Sequence, residues 1–479
     1  MTSAPGRRTG DGRPPHLDGA GRAPDRGVLF LPVEARKAGA YGVLLEGVRG
    51  AGARGDRARV ADVPVPAQLS DSGRVRDARP ANPLPGHNRG LLGRRGGARR
   101  RGPGGVEAAP VRILIVAGEA SGDLHAANLL RALQREEAGV EAFGVGGERL
   151  REAGLECVAR SEELSVMGLA EVVRELPRLL ALARRVRGAA LARRPDVAVL
   201  VDSPDFNLPL ARRLRRAGIP VVVYVSPQLW AWRAGRVRRI RRDVRRVLCI
   251  LPFEVAFYAS HGVAAEYVGH PLVDELAPVM AAMPPRVPGT LALMPGSRWH
   301  EVETLLPTML AAAARLLSEV KDLRVRLIAA PGLERGRLAA LLAGTPVPVE
   351  VVAEHRHRAL ASCAAAIVAS GTATLECALL DVPMVVGYRL HALSYALAKR
   401  LVRVPHVGLV NLVAGKRIVA EAVQRDFNEG KLLAETRRLF GEAGEVQREA
   451  LAGVRAALGD PGASERAARA VLAVAKGAA

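Results

Sequence analysis

Asp202 and Asp205 fall in the run Asp202-Ser-Pro-Asp-Phe-Asn207, directly after the apolar stretch Val197–Val201. Carboxylates at the carboxyl end of a buried parallel strand are placed to take a proton from a sugar hydroxyl, the task of a general base. Helix capping by Asp205 accounts for one of these two acids but not both. A different chemistry is suggested by Pro295-Gly-Ser-Arg298, which again joins an apolar run to a helical one. Gly296 and Ser297 let phosphate oxygens approach the backbone, the helix start offers N–H donors, and Arg298 can make a bidentate contact. The plainer reading is a small-residue turn with an exposed Arg. Ser370-Gly-Thr-Ala-Thr-Leu-Glu-Cys377 repeats the design. Ser370, Gly371 and Thr372 open a second small-residue turn. Glu376 follows on the helix, where it could accept both hydroxyls of a ribose or simply favour the helix dipole.

Two further runs follow strand-like segments. In Gly118-Glu-Ala-Ser-Gly-Asp-Leu-His125, the small residues Ser121 and Gly122 and the helix start suit a polar or anionic ligand, with His125 close behind. The spacing is not that of a dinucleotide fingerprint, and Ser121 or Asp123 could equally be an N-cap. Ser226-Pro-Gln-Leu-Trp-Ala-Trp-Arg233 holds two of the three Trp in a chain with 3% aromatics. Trp230 and Trp232 suit a ring or acyl pocket, or the core. Arg233 leads into an Arg-dense helix (Arg236, Arg238, Arg239, Arg241, Arg242, Arg245, Arg246) striped by Val237, Ile240, Val244 and Val247. That face fits a phosphate or an anionic lipid surface, or plain solvent. Met167–Val173 with Leu176, Leu179 and Leu180 is an apolar helix face, for the core or for acyl chains. His355-Arg-His357 has no carboxylate or Cys at matching spacing. No metal and no cofactor is assigned.

The elements that must hold these runs alternate. Strands at 111–117, 197–201, 221–225 and 247–251 are separated by helical stretches, including 177–193 and 208–217. A Pro/Gly-rich stretch at 276–290 reads as an interdomain linker. Strands at 291–294, 325–329, 349–352, 365–369 and 383–386 then resume the rhythm, with helices near 302–318 and from Thr374. The fold class is therefore α/β, with two Rossmann-like doubly wound domains facing across a cleft, and ligands are expected beyond the carboxyl ends of the strands. The expected boundaries are 111–280 for the first domain, 281–440 for the second, and 441–479 for terminal helices that pack back on the first.

Residues 1–110 stand apart. Gly and Pro make up 33 of these 110 residues, without period, which is expected of a disordered or spurious extension. The chain carries a formal charge of +22, and 111–479 still hold 50 basic against 38 acidic residues. This favours an anionic partner. No run of 18 uncharged apolar residues and no secretory leader is visible, and four Cys without a CxxC pair exclude a disulfide scaffold. The reading is a cytoplasmic protein. A nucleic-acid-binding role would explain the charge but not acids and small-residue turns at strand ends, so no nucleic acid is expected.

Taken together, the motifs resemble the lipid-A-disaccharide synthase family, GT-B glycosyltransferases of family 19. The resemblance rests on GEASGDLH (118–125), SVMGLAEV (165–172), DSPDFN (202–207), YVSPQLWAWR (224–233), LPFE (251–254), GHPLVD (269–274), LMPGSRWHEVE (293–303), SGTATLEC (370–377), MVVGYR (384–389) and NLVAG (411–415). It spans about residues 111–435 in family order. It implies an enzyme that condenses UDP-2,3-diacylglucosamine with 2,3-diacylglucosamine 1-phosphate, giving the β-1,6 lipid A disaccharide 1-phosphate and UDP. Asp202 would be the base, with Asp205 as fallback, and Arg298 would neutralise the departing diphosphate without a metal. Glu376 would anchor the ribose, Asn411 and 370–372 would contact the nucleotide, and Ser121 would line the acceptor side. The basic helix and the 167–180 face would hold the enzyme at the inner face of the inner membrane, and a homodimer is left open. Val410 stands where the family usually has Pro, and Ala420-Glu-Ala replaces the common Pro-Glu-Leu. A UDP-N-acetylglucosamine 2-epimerase or another lipid-linked GT-B enzyme would share the fold.

Overall fold

The computed structural model describes residues 110–164, 169–231, 234–391, 395 and 404–477, and side chains of 169–176 are not among those described. Residues 1–109, Met167, Trp232 and Arg233 lie outside the described residues. The first unit runs β1 (Arg112–Ala117), α1 (Ala120–Glu136), β2 (Glu141–Gly146), α2 (Glu148–Glu152), β3 (Glu156–Arg160), α3 (Leu169–Arg193) and β4 (Val197–Val201). It continues through α4 (Pro204–Arg216), β5 (Val221–Tyr224), α5 (Val237–Asp243), β6 (Arg246–Cys249), α6 (Pro252–Ala259) and β7 (Ala265–Tyr267). A bridging helix, α7 (Pro271–Ala281), leads to the second unit.

That unit comprises β8 (Val287–Met294), α8 (Trp299–Leu316), β9 (Arg324–Ile328), α9 (Arg335–Leu342), β10 (Val349–Val352), α10 (Arg356–Ala361) and β11 (Cys363–Ala369). It ends with α11 (Ala373–Leu379), β12 (Met384–Tyr388), α12 (Leu409–Ala414), β13 (Ala420–Val423) and α13 (Glu429–Leu439), before α14 (Glu442–Leu458) and α15 (Ala463–Ala475).

The parallel sheets have the orders β3-β2-β1-β4-β5-β6-β7 and β10-β9-β8-β11-β12-β13. Their central strands are apolar on both faces, as Val197–Val201 is throughout, because helices cover both sides. In each sheet the strand order reverses between the first and fourth strands. Such a switch point opens a crevice at the strand ends. The 118–125 and 202–207 runs flank one switch point, and the 295–298 and 370–377 runs flank the other.

Three boundaries differ from expectation. The stretch at 276–290 holds the end of α7 and the start of β8, so the loop between them is short. Leu272, Val273 and Leu276 of α7 pack into the core of the second unit, although they precede residue 280. The terminal helices divide: Leu451, Val454 and Leu458 of α14 join that same core, whereas Ala467, Ala468, Val471 and Leu472 of α15 pack with Leu129, Leu130 and Leu133 of α1. Asp274 on α7 ties the two crossings together. Its carboxylate accepts from Gly462 N (2.6 Å), Ala463 N (3.2 Å) and Ser464 N (3.3 Å), the orphan donors that open α15.

Candidate active site

A cavity of about 410 Å³ lies between the units, within the usual range for small-molecule sites. The turns after β1, β4, β5 and β6 line one wall; α7, Thr372, Glu376 and Leu409 line the other. The turns after β1 and β4 press together. A Cβ at Gly118 would sit 2.6 Å from Ser203 Oγ, so a side chain there would force that hydroxyl to move. Asp202 (φ 49°), Ser203 (φ 43°) and Val225 (φ 61°) adopt left-handed backbone, which is costly for any non-glycine residue and most of all for a β-branched one. The surroundings hold them in place: Asp202 N donates to Tyr224 O (3.2 Å), and Asn207 Nδ2 donates to Val201 O (3.1 Å) and Asp202 O (2.7 Å). Three left-handed non-glycine residues thus stand on the cavity wall.

Asp202 borders the cavity, half-buried, as do Ser121, Gly122 and His125 of α1. Asp205 also borders it but is buried, and it accepts from Arg236 at 2.5 Å instead of capping α4. Neither Ser121 nor Asp123 caps α1, whose N-cap is Glu119. The buried Asp123 carboxylate instead accepts from Gly147 N (2.6 Å) and Arg149 N (3.1 Å).

Three titratable residues on this wall carry perturbed pKa values. His125 Nδ1 is buried without a partner, and burial lowers the imidazole pKa to about 4. His270 falls to about 3 through burial and then through His125 nearby; its Nδ1 accepts from Leu272 N, which assigns the ring proton to Nε2. Burial pushes Glu254 up to about 7, against hydrogen bonds from Leu251 N (3.1 Å), Trp230 Nε1 (3.0 Å) and Ser226. Glu254, His270 and Glu275 were visible in the sequence only as members of the 251–254 and 269–274 motifs or not at all.

Trp230 does not border the cavity. It packs against the core of the second unit and edge-on to Phe253 (4.9 Å), and so braces the 226–230 turn. Leu179 is buried and Leu180 half-buried, while Arg238 and Arg241 stand exposed above the buried Val237 and Ile240.

On the second wall Thr372 and Glu376 reach the cavity; Ser370 and Gly371 follow β11 and Gly296, Ser297 and Arg298 follow β8, and none of these five lines it. Ser370 Oγ donates to Val407 O (2.8 Å), and Gly371 (φ 144°) accepts from Thr374 Oγ1 (2.8 Å). Arg356 Nη1 donates to Glu376 Oε2 at 2.9 Å. Burial would raise the Glu376 pKa, but His357 and Arg356 outweigh it and hold it below the usual carboxylate value. In the 295–298 turn, Gly296 has φ 117°, and Glu301 accepts from both Ser297 N (3.1 Å) and Arg298 Nη1 (3.2 Å). Asn411, expected at the nucleotide, is fully buried away from the cavity. Its amide donates to Val419 O and Glu421 Oε1, and its carbonyl accepts from Ile418 N and Val419 N, so it fastens the loop before β13. Val410 N donates to Thr374 Oγ1 (3.3 Å), a bond that proline could not make. Among the described residues, no group of three His, Cys, Asp or Glu is placed to hold a metal, and no helix is long and apolar enough to cross a membrane.

Comparison with known proteins agrees with this geometry. Among solved structures, a kitacinnamycin glycosyltransferase (TM-score 0.53, 17% identity, 76% of this chain and 99% of that one) and the MurG of Acinetobacter baumannii (0.51, 15%, 76% and 99%) share the two-sheet fold. A putative UDP-N-acetylglucosamine 2-epimerase from Listeria monocytogenes does so equally (0.52, 14%, 77% and 96%), so fold alone does not select the reaction. Sequence does. Lipid-A-disaccharide synthases from Anaeromyxobacter dehalogenans and Myxococcus xanthus are 50% and 44% identical over 372 residues, which cover 76% of this chain and 97% of each relative. The family model described as lipid-A-disaccharide synthetase matches residues 113–473 and leaves 1–110 outside. The chain therefore belongs to the lipid-A-disaccharide synthetase family, enzymes of the glycosyltransferase class, here built on the GT-B fold.

Proposed function

We propose that the cleft joins UDP-2,3-diacylglucosamine to 2,3-diacylglucosamine 1-phosphate in a single inverting displacement. The acceptor 6-oxygen forms a bond to the anomeric carbon while the bond from that carbon to the diphosphate breaks. The hydroxyl proton passes to Asp202, and the electron pair leaves with UDP. The observation that carries this reading is Asp202 itself, an acid held in strained backbone at a topological switch point on the cavity wall.

Ser121, Gly122 and His125 would receive the acceptor, while Gly296, Ser297, Ser370, Gly371 and Thr372 would receive the nucleotide. Arg298 would stabilise charge building on the diphosphate, an interaction stronger in the transition state than in the ground state. Glu376 would accept the ribose hydroxyls. The exposed Arg238 and Arg241, on a helix whose other face is packed, support docking on the anionic inner leaflet where acylated substrates reside.

The test supplies both diacylglucosamine substrates in detergent and follows UDP and disaccharide, with Asp202→Ala in parallel. Product from the wild type alone is expected. An active Asp202→Ala enzyme would remove the base assignment, and absence of product from folded wild type would remove the substrate assignment.

A further inference from the structure

Glu376 does not stand alone on its wall. Arg356 grips it with two nitrogens, Nη1 to Oε2 at 2.9 Å and Nη2 to Oε1 at 3.4 Å. Both side chains are largely buried, at 16% and 10% exposure. His357, the next residue, places Nε2 3.5 Å from Glu376 Oε2, longer than an ordinary hydrogen bond. On its far side Nε2 lies 3.9 Å from Glu275, which also borders the cavity. The chain turns into α10 through His355, a non-glycine residue at φ 49°, and this turn delivers Arg356 and His357 to the same carboxylate.

A carboxylate offers about four acceptor sites, and a forked guanidinium takes one on each oxygen. One site on each oxygen remains for a ligand. Two adjacent hydroxyls on a five-membered ring match that remainder, provided the carboxylate cannot rotate. A buried Glu without a clamp would have several rotamers open to it, and would lose entropy on binding. We propose that Arg356 is a positioning residue of the donor site: its fork fixes Glu376 so that both oxygens meet the 2′- and 3′-hydroxyls of the nucleotide ribose. The inference rests on the reading of Glu376 as the ribose anchor. A plain strut between α10 and α11 would involve the same ion pair but would not read hydroxyls.

The test uses the full chain and measures competitive inhibition by UDP and by 2′-deoxy-UDP, together with KM for the donor, kcat and the melting temperature. Hydrogen bonds to a charged group are each worth about tenfold or more in binding, so wild type should prefer UDP over the deoxy analogue by at least that factor. Arg356→Gln should erase most of the preference and raise KM about tenfold, with a much smaller change in kcat. Arg356→Lys, which keeps the charge and loses the fork, should fall between the two. Should Arg356→Gln fold poorly, the lysine variant carries the test alone. A wild-type preference retained by both variants, with only a lowered melting temperature, overturns the proposal and leaves a strut. Glu376→Ala separates the layers. If it erases the preference while the Arg356 variants keep it, only the positioning role fails; if it keeps the preference, the ribose reading fails and the positioning role with it.

Discussion

The two walls of the cleft each bury an arginine–carboxylate pair but differ in the groups around it. On the first, beside the Asp205–Arg236 ion pair, three titratable groups are kept uncharged or close to it: His125 and His270 are neutral imidazoles, and Glu254 titrates near neutrality among donors from four residues. The left-handed backbone at Asp202, Ser203 and Val225 belongs to this wall as well. On the second, carboxylates are clamped by neighbouring donors. Glu376 has Arg356, Glu301 has Arg298 and Ser297 N, and Glu421 has Val407 N and Gly408 N. Fixed charge in a low-dielectric cleft is worth most where a ligand's own charge is fixed, as in a nucleotide diphosphate. Neutral polar groups beside strained backbone suit a sugar with apolar chains, where an unpaired charge would be expensive to desolvate.

The sharpest break of this contrast is Asp202→Ala. If chemistry belongs to the first wall and donor binding to the second, kcat should fall by about 10²–10⁴ while UDP affinity stays unchanged. A matching loss of UDP affinity in equilibrium binding would mean the walls are not separable in this way. Next in size is Gly118→Ala. The new methyl would meet Ser203 Oγ and Leu164 and push the Asp202-Ser203 turn. A shift of about 1 Å there should lower kcat roughly a hundredfold, again without weakening UDP.

Stability against pH separates the buried groups by sign, and the first wall holds both signs. Glu254 is raised from 4.5 to about 7 in the folded protein, so its contribution to stability is complete below pH 4.5 and fades as pH rises through 7. His125 is lowered from 6.5 to about 4, so its contribution is present above pH 6.5 and fades as pH falls through 4. Each is worth about 3 kcal/mol across its window. Glu376, held low, also loses its contribution on acidification, below the ordinary carboxylate range. Urea midpoints should therefore fall less between pH 4.5 and 7 for Glu254→Gln than for wild type. For His270→Asn, which keeps an acceptor for Leu272 N and shares the sign of His125, they should drift less on the acid side. Curves parallel to wild type would mean that neither group is buried in the form described.

Much of this was legible from residue order. The central strands announce themselves because helices cover both faces and every position can be apolar, as in Val197–Val201. β2, β3, β7 and β13 do not, since Gly144 and Gly146 dilute the first and Glu156, Glu266 and Glu421 interrupt the others, whereas the edge strand β10 was legible at 349–352. Asp202, Ser121 and Thr372 could be found because a switch point must lie at the ends of particular strands. Arg356 could not, because its meeting with Glu376 depends on β11 carrying the chain back across the sheet between them. Glu254 was hidden for another reason: a Glu at the third position of a helix looks like an ordinary cap, and only the burial around it reveals more. Trp230 was read from residue type as a pocket or core residue and Asn411 from the resemblance as a nucleotide contact; the hydrogen bonds of both side chains are made within the fold.

The smallest effect sharpens the comparison most, since it concerns whether a clamp on the second wall assists or competes with the ligand. Glu301 accepts from Ser297 N and Arg298, the same two donors that a diphosphate would use. Both side chains of the ion pair are partly exposed, Arg298 at 43% and Glu301 at 24%, so solvent screens their attraction and the pair is weak, about 0–1 kcal/mol. Diphosphate, with more charge and several acceptor oxygens, should displace it. Glu301→Gln would then release Arg298 at little structural expense and tighten UDP binding by no more than about fivefold, with an effect that shrinks in high salt. If Glu301 instead holds the turn in its binding shape, the same change should weaken UDP, and calorimetric titration of UDP at two salt concentrations distinguishes the two. Tightening would make this carboxylate a placeholder for the ligand and Glu376 a true contact. Weakening would make both acids parts of one preorganised wall.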